Sequence, residues 1–349
     1  MNTRTREHSN IAPNGRSESI ATAERGSKVG YEIEQSEPIT DHWIRVFGPS
    51  SLSNLGPGFD TLGLCIGGIG DYVEARLQDA PGVVIESIEG DNGLLPRDPA
   101  MNTASVAAER VLQQLRSPYG IILRIKKHVP FGSGIGGSAA SAVAGAWAAS
   151  LLHGVALHKQ ELVDAVLDGE EVASGGRHGD NVLPALFGGL VLVSATDPKH
   201  YRRIPLVKEM PLAVITPDVQ ILTKQAREML PREVALRDAI RNASDLAFLV
   251  DAFRCGDWET VGHCIMTDRL VEPVRATLVP CYQAVRQAAM DAGAFGCALT
   301  GSGPSMFAVT ATPNIAERVT EAMLDASRGM GIPALGTPTE ANADGVTSC

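Results

Sequence analysis

Apolar and polar residues alternate along several short stretches in the first half of the chain, a pattern typical of half-buried β-strands. The strands predicted in this way cover residues 42–47, 72–77, 83–88, 121–125 and 189–194. The intervening stretches favour helices. The predicted helices cover residues 101–116, 138–153 and 159–168. The second of these helices is rich in alanine and apolar on nearly every side, which predicts that it is buried.

The second half opens with a predicted strand at 212–216 and closes with a helix, a glycine-rich strand pair and another helix. Helices segregated from antiparallel strands predict an α+β fold. We expect a loop at 174–181, a domain boundary within 197–205 and a frayed end over the last dozen residues. The predicted organisation is a disordered N-terminal tail at 1–40, an N-terminal domain at 41–205 and a C-terminal domain at 206–340.

Composition narrows the class of protein. With 349 residues, 44% of them hydrophobic, the chain can form two domains with sizeable cores. A net charge of −10 argues against a nucleic-acid partner, because phosphate backbones attract basic surfaces. No apolar run has membrane length, and the polar N-terminus does not resemble a secretory signal. Six scattered cysteines without a C-x-x-C pair indicate reduced thiols, so we expect a cytoplasmic protein without a membrane partner.

A glycine-rich loop, VPFGSGIGGSAAS at 129–141, separates a predicted strand from the alanine-rich helix. Glycines let backbone N–H groups approach a ligand closely, and a helix N-terminus adds unpaired donors and partial positive charge. The loop can therefore bind phosphate without a lysine of its own. It lacks the Lys of a GxxxxGK[ST] loop, and it fits G-x-G-x-x-G only from Gly132. Taken alone, it is also compatible with a plain packing turn.

Two further stretches combine serine and glycine between apolar runs. They are SSLSNLGPGFDTLG at 50–63, which carries Asp60, and LTGSGPSMFAV at 299–309. Three polar glycine loops in one chain are most economically explained by one common pocket. Lys126, Lys127 and His128, directly before the first loop, are interpreted as a solvated strand end.

Together these stretches resemble the GHMP kinases, whose loop PxxxGLGSSAA binds the phosphates of ATP. HGDNVLPALFGG (178–189), LTKQAREMLP (222–231) and EPVRATLVP (272–280) extend the match, which covers residues 44 to 310 in order. The resemblance implies an N-terminal domain like the second domain of ribosomal protein S5, followed by a ferredoxin-like domain. The ATP-binding residues that it implies are Asn102, Pro130, Gly132, Ser133, Gly134, Ile135, Gly136, Gly137, Ser138, Ala139 and Ala140.

The resemblance also implies a reaction, in which ATP phosphorylates a small alcohol with Mg²⁺ as cofactor. Within the family, the match is to members that convert L-homoserine to O-phospho-L-homoserine in threonine biosynthesis. The substrate-side residues that it implies are Asn54, Asp60, His178, Asp180, Thr223, Arg227, Arg275, Thr300, Gly301 and Ser302. The two aspartates would hold the substrate ammonium and the two arginines its carboxylate, while Asn54 and His178 would hold the alcohol.

The implied metal ligands are Ser138 and one residue of Glu170-Glu171, with Glu170 favoured by its spacing from His178. No carboxylate is left over to act as a dedicated base. We therefore expect positioning and charge neutralisation to carry the phosphoryl transfer.

The chain departs from the family pattern at Gly137, where a serine is usual, and at Ser53, where alanine is usual. Two alternatives stay open: another small-alcohol kinase of the family, and a non-catalytic ligand-binding regulator, whose only support is the missing serine at Gly137. A nicotinamide-dependent dehydrogenase is a more distant alternative. The family resemblance also implies a homodimer.

Overall fold

The structure, a computed structural model, describes residues 42–154 and 157–349. The tail predicted at 1–40 lies outside the described residues. The strands are β1 (Ile44–Ser53), β2 (Leu62–Gln78), β3 (Val83–Glu89), β4 (Gly120–Lys126), β5 (Leu190–Val193), β6 (Tyr201–Ile204), β7 (Pro211–Pro217), β8 (Gly296–Leu299), β9 (Met306–Val309), β10 (Ala334–Glu340) and β11 (Thr347–Ser348). The helices are α1 (Thr103–Leu115), α2 (Gly137–Leu152), α3 (Val163–Ser174), α4 (Gly179–Phe187), α5 (Thr223–Glu228), α6 (Leu236–Cys255), α7 (Trp258–Ile265), α8 (Glu272–Arg275), α9 (Tyr282–Asp291) and α10 (Pro313–Gly329).

The first sheet has the strand order β11-β1-β2-β4-β3, with β5 pairing to β2 and β6 to β5. β3 and β4 run parallel, and the other pairs are antiparallel. A core cluster joins this sheet to α1, α2, α3 and α4. Asp71, on β2, is the fully buried exception in an otherwise apolar stretch of the strand.

The second sheet has the order β10-β7-β9-β8 with antiparallel pairs throughout. This is the order of the β-α-β-β-α-β arrangement of ferredoxin-like domains. One core cluster packs the sheet against α9 and α10. A second joins it to the first sheet, since Val214 and Phe307 share that cluster with Leu52 and Leu64. The predicted α+β fold is confirmed.

Two local predictions were wrong. The loop expected at 174–181 ends at Gly179, where α4 begins, and this helix accommodates Pro184 in its interior. The end expected to be frayed forms β11 beside β1, and Val346 is 1% exposed. The segment 197–205 contains β6, which pairs with β5. The domain boundary within that segment, at 205/206, stays a prediction. No helix within residues 42–154 and 157–349 is long and apolar enough to cross a membrane.

The small residues of α2 allow close packing against its neighbours. Twelve of its sixteen residues are Gly, Ala or Ser, and most of these twelve are buried. A Cβ added at Gly145 would lie 2.2 Å from the carbonyl oxygen of Ala104 on α1, and one added at Gly48 on β1 would lie 2.0 Å from that of Ala140. Backbone therefore approaches backbone on two sides of this helix.

Gly145→Ala is expected to destabilise the protein by about 1–3 kcal/mol, because the added methyl group overpacks a core position. Helix propensity alone predicts the opposite sign, a gain of about 1 kcal/mol. Gly329→Ala is the matched control, because Gly329 is also helical but has no atom within 4 Å of an added Cβ. Urea unfolding of both variants checks the prediction. A Gly145→Ala protein at least as stable as the parent would contradict it.

Candidate active site

The three glycine loops meet, as the common-pocket hypothesis requires. The backbone N–H of Ser53 donates to the hydroxyl of Thr300 at 3.0 Å, and that hydroxyl donates to the carbonyl of Gly134 at 3.2 Å. The N–H of Ser305 donates to the carbonyl of Ser133 at 3.1 Å. Hydrogen bonds thus connect each loop directly to another.

The loop before α2 has the backbone of a phosphate site. Gly132, Gly134 and Gly136 have φ angles of 69°, 79° and 70°, in the left-handed region that side chains rarely enter. Gly136 is the N-cap of α2 and has no side chain to cap it. The first N–H groups of the helix therefore lack a side-chain acceptor, and this is the condition for binding an anion there.

Ser138 and Glu170 lie together at this end of α2. The hydroxyl of Ser138 donates to Oε2 of Glu170 at 2.8 Å. Glu170 is buried whereas Glu171 is exposed, so the structure brings Glu170 and not Glu171 to the loop. Burial, with a contribution from the charge of Asp180, raises the pKa of Glu170 to about 7.

These two oxygen donors fit a magnesium ion. Mg²⁺ prefers hard oxygen ligands and is commonly held by one or two carboxylates, waters and substrate phosphates. No group of three or more His, Cys, Asp or Glu suited to a metal occurs among residues 42–154 and 157–349. A magnesium site shared with bound phosphates does not require such a group.

Four charged side chains form the other side of the site. Arg227, on α5, makes a bidentate pair with Asp60, with N–O distances of 2.8 and 2.9 Å. Asp180, in the first turn of α4, is buried. Burial and the charge of Asp60 raise its pKa to about 7, while Arg227 and Arg275 act in the opposite direction. The four groups are therefore close enough to influence each other electrostatically.

Arg275 is held in a buried position. Arg275 is only 3% exposed, and its Nη1 donates to the carbonyl of Gly301 at 2.8 Å. Its Nε is buried without a hydrogen-bond partner. The guanidinium carbon of Arg275 lies 4.9 Å from the ring centroid of Phe59, and that of Arg227 lies 5.4 Å from the same ring. Phe59 thus contacts both arginines through its π-face.

Several residues assigned from the resemblance stabilise the backbone of the site. Nδ2 of Asn54 donates to the carbonyl of Gly301 at 2.8 Å, and its Oδ1 accepts from the N–H of Asp60 at 3.3 Å. Asn102 caps α1 by accepting from the N–H of Ala104. The buried hydroxyl of Ser302 donates to the carbonyl of Gly303. The predicted ligand contacts of these residues stay predictions.

His178 and Thr223 lie at the starts of the two helices that carry Asp180 and Arg227. His178 is the N-cap residue of α4. Burial and the charge of Arg227 lower its pKa, which favours the neutral imidazole. Thr223 is the first residue of α5, one turn before Arg227, and is exposed. Residues four apart share a helix face, so Thr223 is on the side of Arg227.

Sequence reasoning missed Asn181. Its Oδ1 accepts from Ser51 at 3.0 Å, and its Nδ2 donates to the hydroxyl of Ser53 at 3.1 Å. Asn181 therefore ties the start of α4 to β1, and the unusual Ser53 has a defined partner. The only signal available was its place in the stretch HGDN, directly after Asp180.

The interpretation of residues 126–128 as a solvated strand end was wrong for Lys127. Its side chain is 7% exposed and forms an ion pair with the fully buried Asp71. The sequence shows only a polar run, whereas the fold supplies a buried carboxylate on the neighbouring strand β2.

The space at Gly137 is limited. A Cβ added there would lie 3.0 Å from Cγ1 of Val129 and 3.6 Å from Nζ of Lys127. A serine at this position, as is usual in the family, would require Val129 to shift by a few tenths of an ångström. The packing of Val129 against the start of α2 therefore favours glycine at position 137 in this chain.

Stability is expected to fall as pH rises from 5 to 8. Burial is the largest cause that raises the pKa values of Glu170, Asp180 and Glu272 to about 7, well above those of unfolded chains. Between these values the folded protein binds more protons than the unfolded one, so the free energy of unfolding decreases with pH. Urea unfolding without nucleotide measures this. Glu170→Gln should reduce the slope and Glu171→Gln should not; a rising free energy over this range would contradict the prediction.

Fold and site together define a class: a small-molecule phosphotransferase built on two sheets, with a glycine-rich loop at a helix N-terminus. The family model described as GHMP kinases N terminal domain matches residues 102–189, and that described as GHMP kinases C terminal matches residues 249–328. Homoserine kinase of Chlorobium phaeobacteroides is 38% identical over 288 residues, which span 79% of this chain and 89% of that protein. The chain belongs to the GHMP kinase family, where it groups with the homoserine kinases.

Other comparisons agree. Homoserine kinase of Pyrococcus abyssi is 38% identical over 265 residues, covering 76% of this chain and 87% of that protein. The crystal structure of homoserine kinase from Cytophaga hutchinsonii has a TM-score of 0.85 and 37% identity, covering 90% of this chain and all of that one. Mevalonate kinase of L. major, at 18% identity and a TM-score of 0.66, shares the fold.

Proposed function

We propose that the protein transfers the γ-phosphoryl group of ATP to the hydroxyl of L-homoserine and yields O-phospho-L-homoserine. The observation that carries the proposal is the set of hydrogen bonds that joins the two halves of the site. The hydroxyl of Thr300 donates to Gly134 in the loop before α2, and the neighbouring carbonyl of Gly301 accepts from both Asn54 and Arg275. The homoserine kinase relatives support the choice of substrate.

The charged group suits an amino acid with a free alcohol. Asp60 and Arg227 neutralise each other in the bidentate pair. A zwitterion can divide this pair, because its ammonium offers Asp60 a new partner and its carboxylate does the same for Arg227. A ligand with only one of the two charges would leave one side chain without its partner. Each charge-assisted hydrogen bond contributes about 1.5–3 kcal/mol.

On the nucleotide side, Ser138 and Glu170 would hold Mg²⁺, and the N–H groups at the start of α2 would bind the phosphates. When bound, the metal neutralises charge on the transferring phosphoryl group. A cation beside Glu170 also favours its carboxylate form, so its raised pKa should fall on binding.

The substrate alcohol has no dedicated base in this proposal. His178 would hold the alcohol, and Asp180 is the carboxylate available near the substrate charges, where it would face the ammonium. Phosphoryl transfer has a loose transition state, so orientation of the alcohol and charge stabilisation carry the reaction. The pH–rate profile of the parent tests this point. If it shows a single pKa that disappears in Asp180→Asn while substrate binding is retained, Asp180 is the base.

A coupled ADP-release assay with Mg-ATP tests the function. L-homoserine is compared with 3-amino-1-propanol, which lacks the carboxylate, with 4-hydroxybutanoate, which lacks the ammonium, and with mevalonate and galactose. We expect strong turnover of homoserine and at least a hundredfold lower kcat/KM for each analogue. Ser138→Ala should abolish turnover. Binding of ATP without turnover of any alcohol would favour the regulator, with Gly137→Ser as the variant to restore activity.

Two further properties belong to this proposal. All six cysteines are free in the structure, which supports a reducing, cytoplasmic location. The homodimer implied by the family would be tested by light scattering during size-exclusion chromatography.

A further inference from the structure

A buried polar cluster lies beside the phosphate loop and has no part in the proposed chemistry. It consists of Asp71 on β2, Lys127 just after β4 and Ser141 on α2. Asp71 is fully buried, and the side chain of Lys127 is 7% exposed. Breaking up such a pair leaves an uncompensated charge in the interior, so a pair of this kind needs well-formed hydrogen bonds around it.

Asp71 fixes the chain where it enters the loop. Its Oδ1 accepts from the backbone N–H of His128 at 3.0 Å and from that of Val129 at 3.2 Å. They directly precede residues 130–136, the part of the glycine-rich loop between Val129 and α2.

The same cluster fixes the chain where it leaves the loop. Nζ of Lys127 donates to the carbonyl of Gly137 at 2.8 Å and to the hydroxyl of Ser141 at 2.9 Å. The hydroxyl of Ser141 in turn donates to Oδ2 of Asp71 at 2.9 Å. Gly137 and Ser141 form the first turn of α2.

Both ends of the loop, residues 130–136, are thus anchored to one buried carboxylate. The loop contains three glycines with positive φ, and glycine loses more conformational freedom on ordering than any other residue. A loop ordered in advance avoids that cost when its ligand binds. We propose that Asp71 and Lys127 are positioning residues that hold the loop in its nucleotide-binding conformation before ATP arrives. The nature of the ligand rests on the proposed function, whereas the order of the loop does not.

The double variant Asp71→Asn/Lys127→Met tests this. It removes both charges together, so neither is left buried without its partner. We expect the KM for ATP to rise at least tenfold while the KM for homoserine stays within twofold. Hydrogen exchange of the backbone amides at 129–141, measured without nucleotide, should become at least tenfold faster. Ser141→Ala, which keeps the ion pair, should raise the KM for ATP about threefold.

Lys126→Met is the matched control. Lys126 is the preceding residue, but its ammonium pairs with Glu74 at 2.9 Å and its side chain is 29% exposed. This variant should leave both KM values and the exchange of the loop within twofold of the parent.

Three results would overturn the proposal. The first is unchanged exchange of residues 129–141 in the double variant, even if ATP binding weakens, because Lys127 would then act on the nucleotide and not on the loop. The second is an equal rise of both KM values, the result of a general structural loss. The third is faster exchange in Lys126→Met as well. A parent protein that fails to phosphorylate homoserine would refute the proposed function, but the exchange measurement would still test the positioning role.

Discussion

Glu170→Gln is expected to lower kcat by about 10²–10³-fold, the loss typical of removing one group that stabilises transition-state charge. The carboxylate lies 2.8 Å from the Ser138 hydroxyl and is buried. An amide of nearly the same shape keeps the packing but removes the charge that would hold Mg²⁺. The measurement is kcat across a series of Mg²⁺ concentrations, and the variant should require more metal for half-maximal activity.

Glu171→Gln provides the control for this experiment. Glu171 is adjacent in sequence and equally acidic, but it is exposed. Its variant should keep kcat and the Mg²⁺ requirement within twofold of the parent. If both variants lost activity equally, or if Glu170→Gln kept full activity, then the magnesium role of Glu170 would be wrong.

Arg275→Met is expected to lower kcat/KM for L-homoserine by about 10²–10³-fold while changing the KM for ATP less than threefold. Each charge-assisted hydrogen bond contributes about 1.5–3 kcal/mol, and each 1.4 kcal/mol is a factor of ten, so losing a two-bond contact with the substrate carboxylate accounts for a change of this size. The guanidinium is preorganised by its hydrogen bond to Gly301 and its contact with Phe59. Its Nε is buried without a hydrogen-bond partner, and the proposed function assigns the guanidinium to the substrate carboxylate.

The analogue without a carboxylate separates recognition from damage. Turnover of 3-amino-1-propanol is expected to be slow but nearly the same in Arg275→Met and in the parent. This amino alcohol has no carboxylate, so neither protein can form the contact between residue 275 and a carboxylate. Arg269→Met, at an exposed arginine of the preceding segment, should leave both substrates unaffected. An equal loss with homoserine and the amino alcohol would show that Arg275 acts on the shape of the site.

The sequence predicted the parts of the site that local chemistry determines. Glycines at positive φ before a helix, and serines and aspartates in polar loops, are recognisable one stretch at a time. The common pocket followed from three such loops, and hydrogen bonds between Ser53, Thr300 and Gly134 join them in the structure. The α+β fold followed from the segregation of helices and strands.

What the sequence could not predict depends on partners far along the chain. Lys127 looked solvated because its partner, Asp71, is 56 residues away on another strand. Asp60 and Arg227 are 167 residues apart in the sequence. Both were assigned to the substrate from the resemblance, which did not indicate that the two side chains pair with each other. The start of α4 was missed because Gly179 and Pro184 weaken its local helical signal.

The return of β11 to β1 has a consequence for synthesis on the ribosome. Phe47, near the beginning of the first sheet, pairs with Thr347, 300 residues later. A chain emerging from the exit tunnel can form most of that sheet early, but the sheet gains its last strand only after the ferredoxin-like part has been made. Contacts so distant in sequence form slowly. The nascent protein therefore carries an open sheet edge at Val46 and Phe47 throughout most of its translation, and during that time this part of the edge is available to chaperones or to aggregation.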